Sequence, residues 1–420
     1  MFELNGKYNT AKVFTDNVDN ATVGQLMALL NQKFTEGSRI RIMPDTHAGK
    51  GCVIGTTMTL NGKVCPNLVG VDIGCGMMAV RLGERTVDFC HLDSVIAHYI
   101  PSGFDIREKA VAYSDAGQIK APVDVDRAMK SLGTLGGGNH FIEVDRDSEG
   151  QLWLVVHSGS RHLGIEVCEY YQKLAYDRLR SHAAQKEMAG VLQLMGIDTA
   201  LADGDIAEMR HALVSRLTEQ GMQKEISKAL KTLNAKYQTI NAGVPYELAY
   251  VEGGDFEDYL HDMKLAQSHA KINRQTIARV IMDKMRLHEE ESFDTVHNYI
   301  DTDSMILRKG SISTAEGERV LIPMNMRDGS LICVGKGNPD WNCSAPHGAG
   351  RVLSRSEAKE SIPMKDFKAA MEGIYTTSVG TSTVDEAPQA YKPMDEIIGN
   401  IKDTVDVVDI IRPVYNFKAH

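Results

Sequence analysis

The segment Val69-Gly70-Val71-Asp72-Ile73-Gly74-Cys75-Gly76 places a carboxylate and a thiol three residues apart among glycines. A chain that turns at Gly74 brings positions i and i+3 to the same side, so Asp72 and Cys75 can reach one metal ion. A hard oxygen and a soft sulfur together suit a borderline divalent metal such as Mn²⁺, Zn²⁺ or Co²⁺. The alternative is a glycine-rich turn whose buried cysteine packs like a small apolar side chain.

Three histidines in glycine-marked or asparagine-marked settings can complete such a site. They occur as Asn139-His140, His157-Ser158-Gly159 and His297-Asn298. The apolar run at residues 152–156 predicts a buried strand, which delivers His157 to the turn that follows it. The sequence therefore predicts a metal centre that gathers distant parts of the chain.

The composition limits the functional classes. The chain has 420 residues, a formal net charge of −10 and seven cysteines without a CxxC pair. The negative charge excludes binding of nucleic acid through bulk charge, so RNA would need a local basic patch aided by metal ions. The odd cysteine count argues against a disulfide framework and fits a reducing compartment. Without a signal peptide or an apolar run of ~18 residues, the sequence predicts a cytoplasmic protein that crosses no membrane.

A second glycine-rich segment, residues 132–143, reads Leu-Gly-Thr-Leu-Gly-Gly-Gly-Asn-His-Phe-Ile-Glu. Three successive glycines let the backbone approach a phosphate closely. A flexible hairpin connection is the alternative, although the Asn-His-Phe-x-Glu that follows is less easily explained by a linker. Residues 44–51 contain Gly-Lys but lack the Walker spacing, which excludes a P-loop.

The loop at residues 345–351 reads Ala-Pro-His-Gly-Ala-Gly-Arg, with His347 at its centre. The proline stiffens the approach, and the glycines leave space around the imidazole. A histidine exposed beside an arginine on such a loop suits a phosphoryl or nucleotidyl acceptor. The alternative is a turn histidine without a catalytic role.

Periodicity predicts a mixture of strands and helices. Apolar runs and alternation predict strands near residues 39–43, 52–60 and 77–82. Helical spacing of apolar residues predicts helices near 23–34, 164–193 and 205–236, the last of them interrupted at Gly221. A further long helix is predicted at about 256–285, with Asp255 as its N-cap.

Taken together, seven motifs resemble the RtcB family of RNA-splicing ligases: VGVDIGCGM, LGTLGGGNHFIE, HSGSR, HNY, RKG, HGAGR and AYK. One such motif alone is weak, but seven in the family's order are specific. The resemblance implies an α+β fold, a single catalytic domain over residues 1–420 with mixed β-sheets surrounded by helices. It also implies an inserted helical hairpin at about 187–243, because the stretch between His157 and Gly253 is longer than in short members of the family.

The resemblance implies a two-metal reaction with GTP and RNA ends as substrates. The ligands implied for two Mn²⁺ ions are Asp72, Cys75 and His140 for one ion, and Cys75, His157 and His297 for the other. His347 corresponds to a nucleophile that attacks the α-phosphate of GTP and forms a covalent histidine–GMP adduct. GMP then passes to an RNA 3′-phosphate, forming an RNA-3′-pp-G end, and a 5′-hydroxyl displaces it. A 2′,3′-cyclic phosphate end is first hydrolysed to the 3′-phosphate.

Further family residues carry over to single positions of this chain. Those implied to bind the nucleotide are Asn139, Phe141, Glu143, Asn325, Ser330, Ala349, Gly350, Tyr391 and Lys418. Those implied to contact RNA are Asp45, Lys50, Arg161 and Arg351. Among them, the Glu143 carboxylate is implied to accept from guanine N1–H and the exocyclic amine.

The sequence departs from the family pattern beside several of these positions. Val296 precedes His297 where many members have a second histidine, and Pro346 precedes His347 where serine is common. Asn325 replaces a serine that contacts the nucleotide, so that contact differs here. These departures suggest a specialised paralogue, for RNA repair rather than tRNA splicing. The resemblance leaves open an activating protein partner.

Two other functions remain as alternatives. One is a metal-dependent cyclic-phosphate or phosphodiester hydrolase that never joins ends, which GTP consumption would distinguish from a ligase. The other is a non-catalytic subunit that binds RNA ends in a repair complex. The presence of all five metal-ligand candidates together with His347 argues against that subunit, because binding alone does not need them.

Overall fold

The computed structural model describes residues 1–194 and 206–418. Its helices are α1 (Asn20–Leu30), α2 (Phe89–Tyr99), α3 (Val125–Ser131), α4 (Arg161–Leu194), α5 (Ile206–Glu219), α6 (Ile226–Thr239), α7 (Gly253–Met285), α8 (Arg355–Ser361), α9 (Met364–Ala370) and α10 (Met394–Ile401). Within these two ranges, no helix combines the length and the apolarity that a bilayer crossing requires.

The strands, again within these ranges, are β1 (Phe2–Asn5), β2 (Thr10–Val13), β3 (Ile40–His47), β4 (Ile54–Thr59), β5 (Lys63–Val64), β6 (Gly76–Leu82), β7 (Phe141–Arg146), β8 (Leu152–Ser158), β9 (Val251–Glu252), β10 (Glu289–Val296), β11 (Asn298–Asp301), β12 (Ile306–Lys309), β13 (Ser311–Ser313), β14 (Arg319–Asn325), β15 (Gly329–Gly335), β16 (Ser344–Pro346), β17 (Tyr375–Thr376) and β18 (Val405–Lys418). Short 3₁₀ turns link several of them.

Two large mixed sheets form the framework. The first has the order β1-β2-β3-β4-β12-β11, and the second has the order β10-β6-β8-β7-β18-β15-β14, with β17 pairing parallel to β18. The second sheet curls until its two edges approach, since the Leu321 N–H of β14 donates to Thr295 Oγ1 of β10 at 3.0 Å. The structure thus confirms the predicted α+β class, with mixed sheets surrounded by helices.

Helix α7 packs against both sheets. Its first half contributes Phe256, Tyr259 and Met263 to the apolar core that also contains strands of the first sheet. Its second half contributes Ile277 and Ile281 to the core against the second sheet. Burial of each such side chain contributes roughly 1.5–3 kcal/mol, so one helix stabilises the two sheets in contact with each other.

The end of α4 together with α5 and α6 forms a helical arm with an apolar cluster of its own. The buried members of this cluster are Ala184, Met188, Leu192, Met209, Leu213, Leu233 and Ile240. Helix α5 ends at Glu219 and α6 begins at Ile226, which confirms the predicted interruption at Gly221. The predicted insertion at 187–243 stays a prediction, and its residues 195–205 lie outside the described ranges.

Three helices, α1, α4 and α7, begin before their predicted first residues. Helix α7 begins at Gly253 with Glu252 as N-cap, so the predicted N-cap at Asp255 is wrong. Asp255 instead lies in the first turn, where its carboxylate pairs with Arg178 at 3.0 Å. Helix α1 begins three residues before the predicted Val23, because the Asp19 side chain accepts from the Thr22 N–H.

Candidate active site

Sheet geometry brings the predicted metal ligands to one edge. Strands β10, β6, β8 and β7 are antiparallel neighbours, so the starts of β6 and β7 lie beside the ends of β8 and β10. Cys75 precedes β6, His140 precedes β7, His157 lies near the end of β8 and His297 follows β10. Four neighbouring strands therefore each present one ligand at the same edge.

The glycine-rich turn before β6 adds the carboxylate. The Cys75 N–H donates to the Asp72 carbonyl at 3.1 Å, which closes the predicted turn. Gly74 in this turn has φ +71°, and a Cβ there would lie 2.7 Å from the Gln267 Cα of α7. Only glycine accommodates both this backbone conformation and this close approach to the helix.

The side-chain atoms form two overlapping groups around one sulfur. The ligand atoms of Asp72, Cys75 and His140 lie within 4.8 Å of one another, and so do those of Cys75, His157 and His297. Cys75 Sγ lies 3.4 Å from His140 Nε2 and 3.3 Å from His157 Nε2. His140 Nε2 lies 2.9 Å from Asp72 Oδ2, and His157 Nε2 lies 3.2 Å from His297 Nε2. This donor set fits two divalent cations that share the thiolate.

Backbone carbonyls fix the tautomers of two imidazoles. His140 Nδ1 donates to the Leu135 carbonyl at 2.9 Å, and His157 Nδ1 donates to the Asn139 carbonyl at 3.1 Å. The proton therefore resides on Nδ1, and the Nε2 lone pair points into the cluster. Such outer hydrogen bonds are how proteins orient metal-binding histidines.

The electrostatic environment keeps two imidazoles of the cluster uncharged, and the uncharged ring is the form that binds a metal ion. Burial lowers the pKa of both His157 and His297 well below the ordinary value, so both rings are neutral at pH 7. Burial opposes ionisation of Asp72, but the neighbouring His140, the Cys75 thiol and the Arg161 charge together outweigh burial and lower the pKa of this carboxyl to about 2. Burial and the nearby Asp72 raise the pKa of the Cys75 thiol well above its ordinary value. A divalent cation bound at the sulfur would reverse that shift.

Helix α7 clamps the loops that carry these ligands. Arg274 is fully buried and donates to the carbonyls of Gly74 and Ser158 at 2.7 and 2.9 Å, while its guanidinium pairs with Asp294 at 2.7 Å. Asn273 Oδ1 accepts from the Gly133 N–H at 2.7 Å, and its amide donates to the Gly159 carbonyl at 3.1 Å. One helical turn thus connects the Asp72 turn, the glycine loop and the His157 turn.

His347 lies beside this cluster on the loop after β16. Its ring centroid is 4.7 Å from that of His297. Asp45 of β3 is fully buried, and its Oδ2 accepts from the His347 backbone N–H at 3.1 Å and from Nδ1 at 2.6 Å. Since Nδ1 donates to the carboxylate, Nε2 keeps its lone pair.

A cavity of about 1020 Å³ extends from the histidines, large enough for a nucleotide. His157, His297 and His347 line it, together with eight of the nine residues implied to bind the nucleotide: Asn139, Phe141, Glu143, Asn325, Ala349, Gly350, Tyr391 and Lys418. Ser330 does not line it, because its side chain is fully buried within the curled sheet. The structure therefore brings together the metal-ligand candidates, His347 and most of the positions implied to bind the nucleotide.

Glu386 organises the far wall of this cavity, although the sequence analysis did not single it out. Its buried carboxylate pairs with Lys418, accepts from the Tyr391 hydroxyl at 2.7 Å and pairs with Arg355 at 2.6 Å. Burial opposes its ionisation, but Lys418 and Arg355 outweigh burial and lower the pKa of Glu386 to about 2. This anion holds two of the implied nucleotide contacts in place.

Glu143 occupies a different environment within the same cavity. Burial raises the pKa of this carboxyl to about 7, although the Asn416 amide and Lys418 act in the opposite direction. Asn416 Nδ2 donates to Glu143 Oε1 at 2.5 Å, which leaves the other oxygen for a ligand. The carboxyl therefore ionises readily when a donor such as guanine N1–H approaches it.

The four positions implied to contact RNA differ in their exposure and in their hydrogen-bond partners. Lys50 is exposed and lines the cavity. Arg161 bonds Thr134 Oγ1 and the Gly103 carbonyl, and Arg351 bonds the Leu353 carbonyl and Glu386, so protein groups engage both guanidinium groups. Asp45 lies beneath His347, a position that favours orientation of that ring over contact with RNA.

Sequence reasoning missed Asn273, Arg274 and Glu386. A signal exists for α7, because Asp262, His269, Asn273 and Arg274 interrupt an apolar face with polar side chains that the structure buries completely. Buried polar groups need partners, so such an interruption indicates a hydrogen-bonded role. Glu386 gives no comparable signal, since an acidic pair before a proline is typical of a solvated loop.

Comparisons with known proteins agree with this geometry. The chain matches the family model described as "tRNA-splicing ligase RtcB" over residues 25–124 and 105–419. It is 29% identical to the RNA-splicing ligase RtcB of Escherichia coli K12 over 427 residues, which covers 90% of each chain. It is 26% identical to the tRNA-splicing ligase RtcB of Aeropyrum pernix, covering 85% of this chain and 82% of that protein.

The family match extends over nearly the whole chain and includes every strand edge that contributes to the cluster of Asp72, Cys75 and the three histidines. Six of the seven motifs that suggested the resemblance contribute residues to that cluster or to the adjoining cavity, and Gly310 of the seventh, RKG, lies beside His347. The chain belongs to the RtcB family of tRNA-splicing ligases.

Proposed function

We propose that this protein is a GTP-dependent and Mn²⁺-dependent RNA ligase. It joins RNA ends that carry a 3′-phosphate or a 2′,3′-cyclic phosphate to ends that carry a 5′-hydroxyl. The observation that carries the proposal is the His347–Asp45 pair, which faces the metal-ligand cluster across 4.7 Å between ring centroids. Family membership supports the general activity of RNA ligation.

Two Mn²⁺ ions held by Asp72, Cys75, His140, His157 and His297 would neutralise phosphate charge and favour in-line displacement. The Asp45 carboxylate holds the His347 proton on Nδ1, so that Nε2 attacks the α-phosphorus of GTP. The N–P bond forms as the bond to pyrophosphate breaks. An oxygen of the RNA 3′-phosphate then attacks the same phosphorus and releases His347. Finally, the RNA 5′-hydroxyl attacks the RNA phosphate and GMP leaves.

The cavity walls suit the guanine nucleotide. Glu143 can accept from guanine N1–H and from the exocyclic amine, while Phe141 offers a ring beside it, over which Lys418 lies 5.9 Å from the centroid. Asn139 stands next to the ligand His140, where its side chain can reach the phosphate of GMP. These contacts favour the ligase over a hydrolase, which has no need for a guanine pocket.

The test is incubation with α-labelled GTP and Mn²⁺, followed by a denaturing gel. We expect a covalent label that is lost in mild acid and retained in alkali, because protonation of a phosphoramidate makes imidazole a good leaving group. His347→Ala should show no label, should still bind metal, and should still seal RNA that already carries GMP on its 3′-phosphate. An acid-stable label, or a label on His347→Ala, would contradict the mechanism.

A further inference from the structure

A turn beside the glycine loop presents an unpartnered aromatic ring. The Asp105 N–H donates to the Ser102 carbonyl at 3.1 Å, and Gly103 takes φ +64° within this turn. Phe104 follows and is 97% exposed, more than any other large apolar side chain in the described ranges. We propose that Phe104 is a platform on which an unpaired base of the RNA substrate stacks beside the junction. This proposal rests on the ligase function above.

Hydrogen bonds fix the backbone of this turn, although the side chain of Phe104 is exposed. The Gly103 N–H donates to the Gly136 carbonyl at 3.0 Å, and the Leu135 N–H donates to the Pro101 carbonyl at 2.9 Å. Arg161 donates to the Gly103 carbonyl at 2.9 Å. The backbone on which Phe104 stands is therefore fixed from both sides.

Arg107 secures the other end of the same loop. Its backbone N–H donates to the Lys130 carbonyl at 3.0 Å. Its guanidinium donates to the carbonyls of Tyr99 and Gly133 at 2.9 and 2.7 Å. A ring on such a backbone loses little further freedom when a base stacks on it, so the ordering cost of binding is low.

The anchoring contacts place Phe104 near the reacting groups. Gly136 precedes the metal-ligand candidate His140 by four residues, which span at most about 14 Å. No residue between 101 and 113 lines the nucleotide cavity, whereas Asn139, which follows the glycine loop in the chain, does line it. The guanine of GTP therefore occupies a different place, and RNA that reaches the same metal centre is the ligand within range of Phe104.

Stacking suits the electrostatics of this protein. The formal net charge is −10, so bulk attraction cannot hold RNA. Proteins recognise single-stranded RNA ends largely by stacking bases on aromatic side chains, an interaction that tolerates any sequence. An enzyme that joins ends of different sequence benefits from this tolerance.

The experiment compares Phe104→Ala, Phe104→Leu and Phe104→Trp in ligation of two short single-stranded RNAs. Self-guanylylation, which needs no RNA, counts the active molecules in each preparation. Val408→Ala is the matched control, because Val408 is 62% exposed and lies on β18, outside the site. We expect a KM for RNA about tenfold higher in the alanine and leucine variants, with the tryptophan and control variants near wild type.

A fluorescent base identifies the nucleotide involved. With 2-aminopurine at each of the three positions on either side of the break, binding to wild type should quench one position, and Phe104→Ala should restore its fluorescence. An unchanged KM in Phe104→Ala, a wild-type KM in Phe104→Leu, or no quenching at any position would overturn the stacking role. Wild-type protein that takes no label from GTP would instead refute the ligase function, so the two failures are distinguishable.

Discussion

A single hydrogen bond decides which nitrogen of His347 faces the cavity. Asp45 Oδ2 lies 2.6 Å from Nδ1, and as an ionised carboxylate it can only accept a proton. In Asp45→Asn the amide can donate to Nδ1, which favours the tautomer that protonates Nε2. We expect self-guanylylation to fall by about 10²- to 10⁴-fold while metal content stays constant, measured by label incorporation and elemental analysis.

Asp406→Asn serves as the control for that substitution, because Asp406 is an exposed carboxylate paired with Lys336. Its rate of labelling should equal that of wild type. A folded Asp45→Asn protein that takes up GMP at the wild-type rate would show that the orientation of His347 does not depend on Asp45.

Cys75 is the one side chain shared by both metal-ligand groups. Cys75→Ala removes a ligand from each proposed ion, so we expect bound metal to fall from two equivalents toward none and labelling to be abolished. Elemental analysis of the purified protein and the gel assay measure the two effects. Cys90→Ala is the matched control, since Cys90 is an exposed thiol. Full metal content and activity in Cys75→Ala would refute the bridging thiolate.

At the scale of elements, the helical arm packs around its own apolar cluster, and none of the arm residues that the structure describes lines the cavity. Arg180 Nε donates to the Ile240 carbonyl at 3.2 Å, so α4 lies close to the point where the chain leaves the arm. A short linker can therefore replace residues 187–243. We expect the deletion variant to retain self-guanylylation and to differ in its choice of RNA or in partner binding.

A circular dichroism melt establishes that the deletion variant is folded, and competition between different RNA substrates measures its selectivity. Leu213→Asp offers a milder version, because a charge in the buried cluster should unfold the arm without shortening the chain. If either folded variant loses self-guanylylation, the arm supports the active site and our assignment of it is incorrect.

The long helices show how far the sequence alone predicts elements. The length of α7 follows from its apolar spacing, but its first residue does not, because Glu252 rather than Asp255 is the N-cap. The contacts of Asn273 and Arg274 could not be predicted from the sequence either. They depend on loops that approach α7 only after the second sheet has formed, and helical periodicity carries no information about these partners.

At the scale of the whole molecule, the buried His269 links global stability to pH. Its Nδ1 lies 2.8 Å from Ser114 Oγ, and burial lowers the pKa of the ring from 6.5 to about 4. The unfolded chain thus takes up a proton below pH 6.5, whereas the folded protein does so only near pH 4. We expect this group to lower the free energy of unfolding by about 3 kcal/mol as pH falls across that window.

Urea titrations at several pH values test this expectation. His269→Gln cannot titrate, so its stability should vary less between pH 6.5 and 4 than that of wild type, whatever its stability at pH 7. His288→Gln is the control, since that side chain is 83% exposed and pairs with Glu84 at the surface. If the free energy of unfolding changes equally with pH in wild type and in His269→Gln, then His269 is not the source of the effect.

The family resemblance that local motifs carry predicted the fold class, while pairings between distant segments required the structure. Glycine beside Asp72, Cys75 and His347 marks sites of close approach within a few residues, which a sequence displays directly. The ion cluster at Glu386 joins groups from three separate segments, and the acidic pair Asp385-Glu386 gives no sign in the sequence of such neighbours. Likewise, it becomes clear only from the strand order that four neighbouring strands place their ligand candidates at one edge of the sheet.

The contact between Asp45 and His347 spans 302 positions of the chain. Contacts of such sequence separation are slow to form, since a long loop must close before they can be made. A folding intermediate in which β16 has not yet packed beside β3 would hold His347 without the carboxylate that orients its ring. Covalent capture of GMP would then report completed folding, and each labelled molecule on a gel would also count one correctly assembled chain.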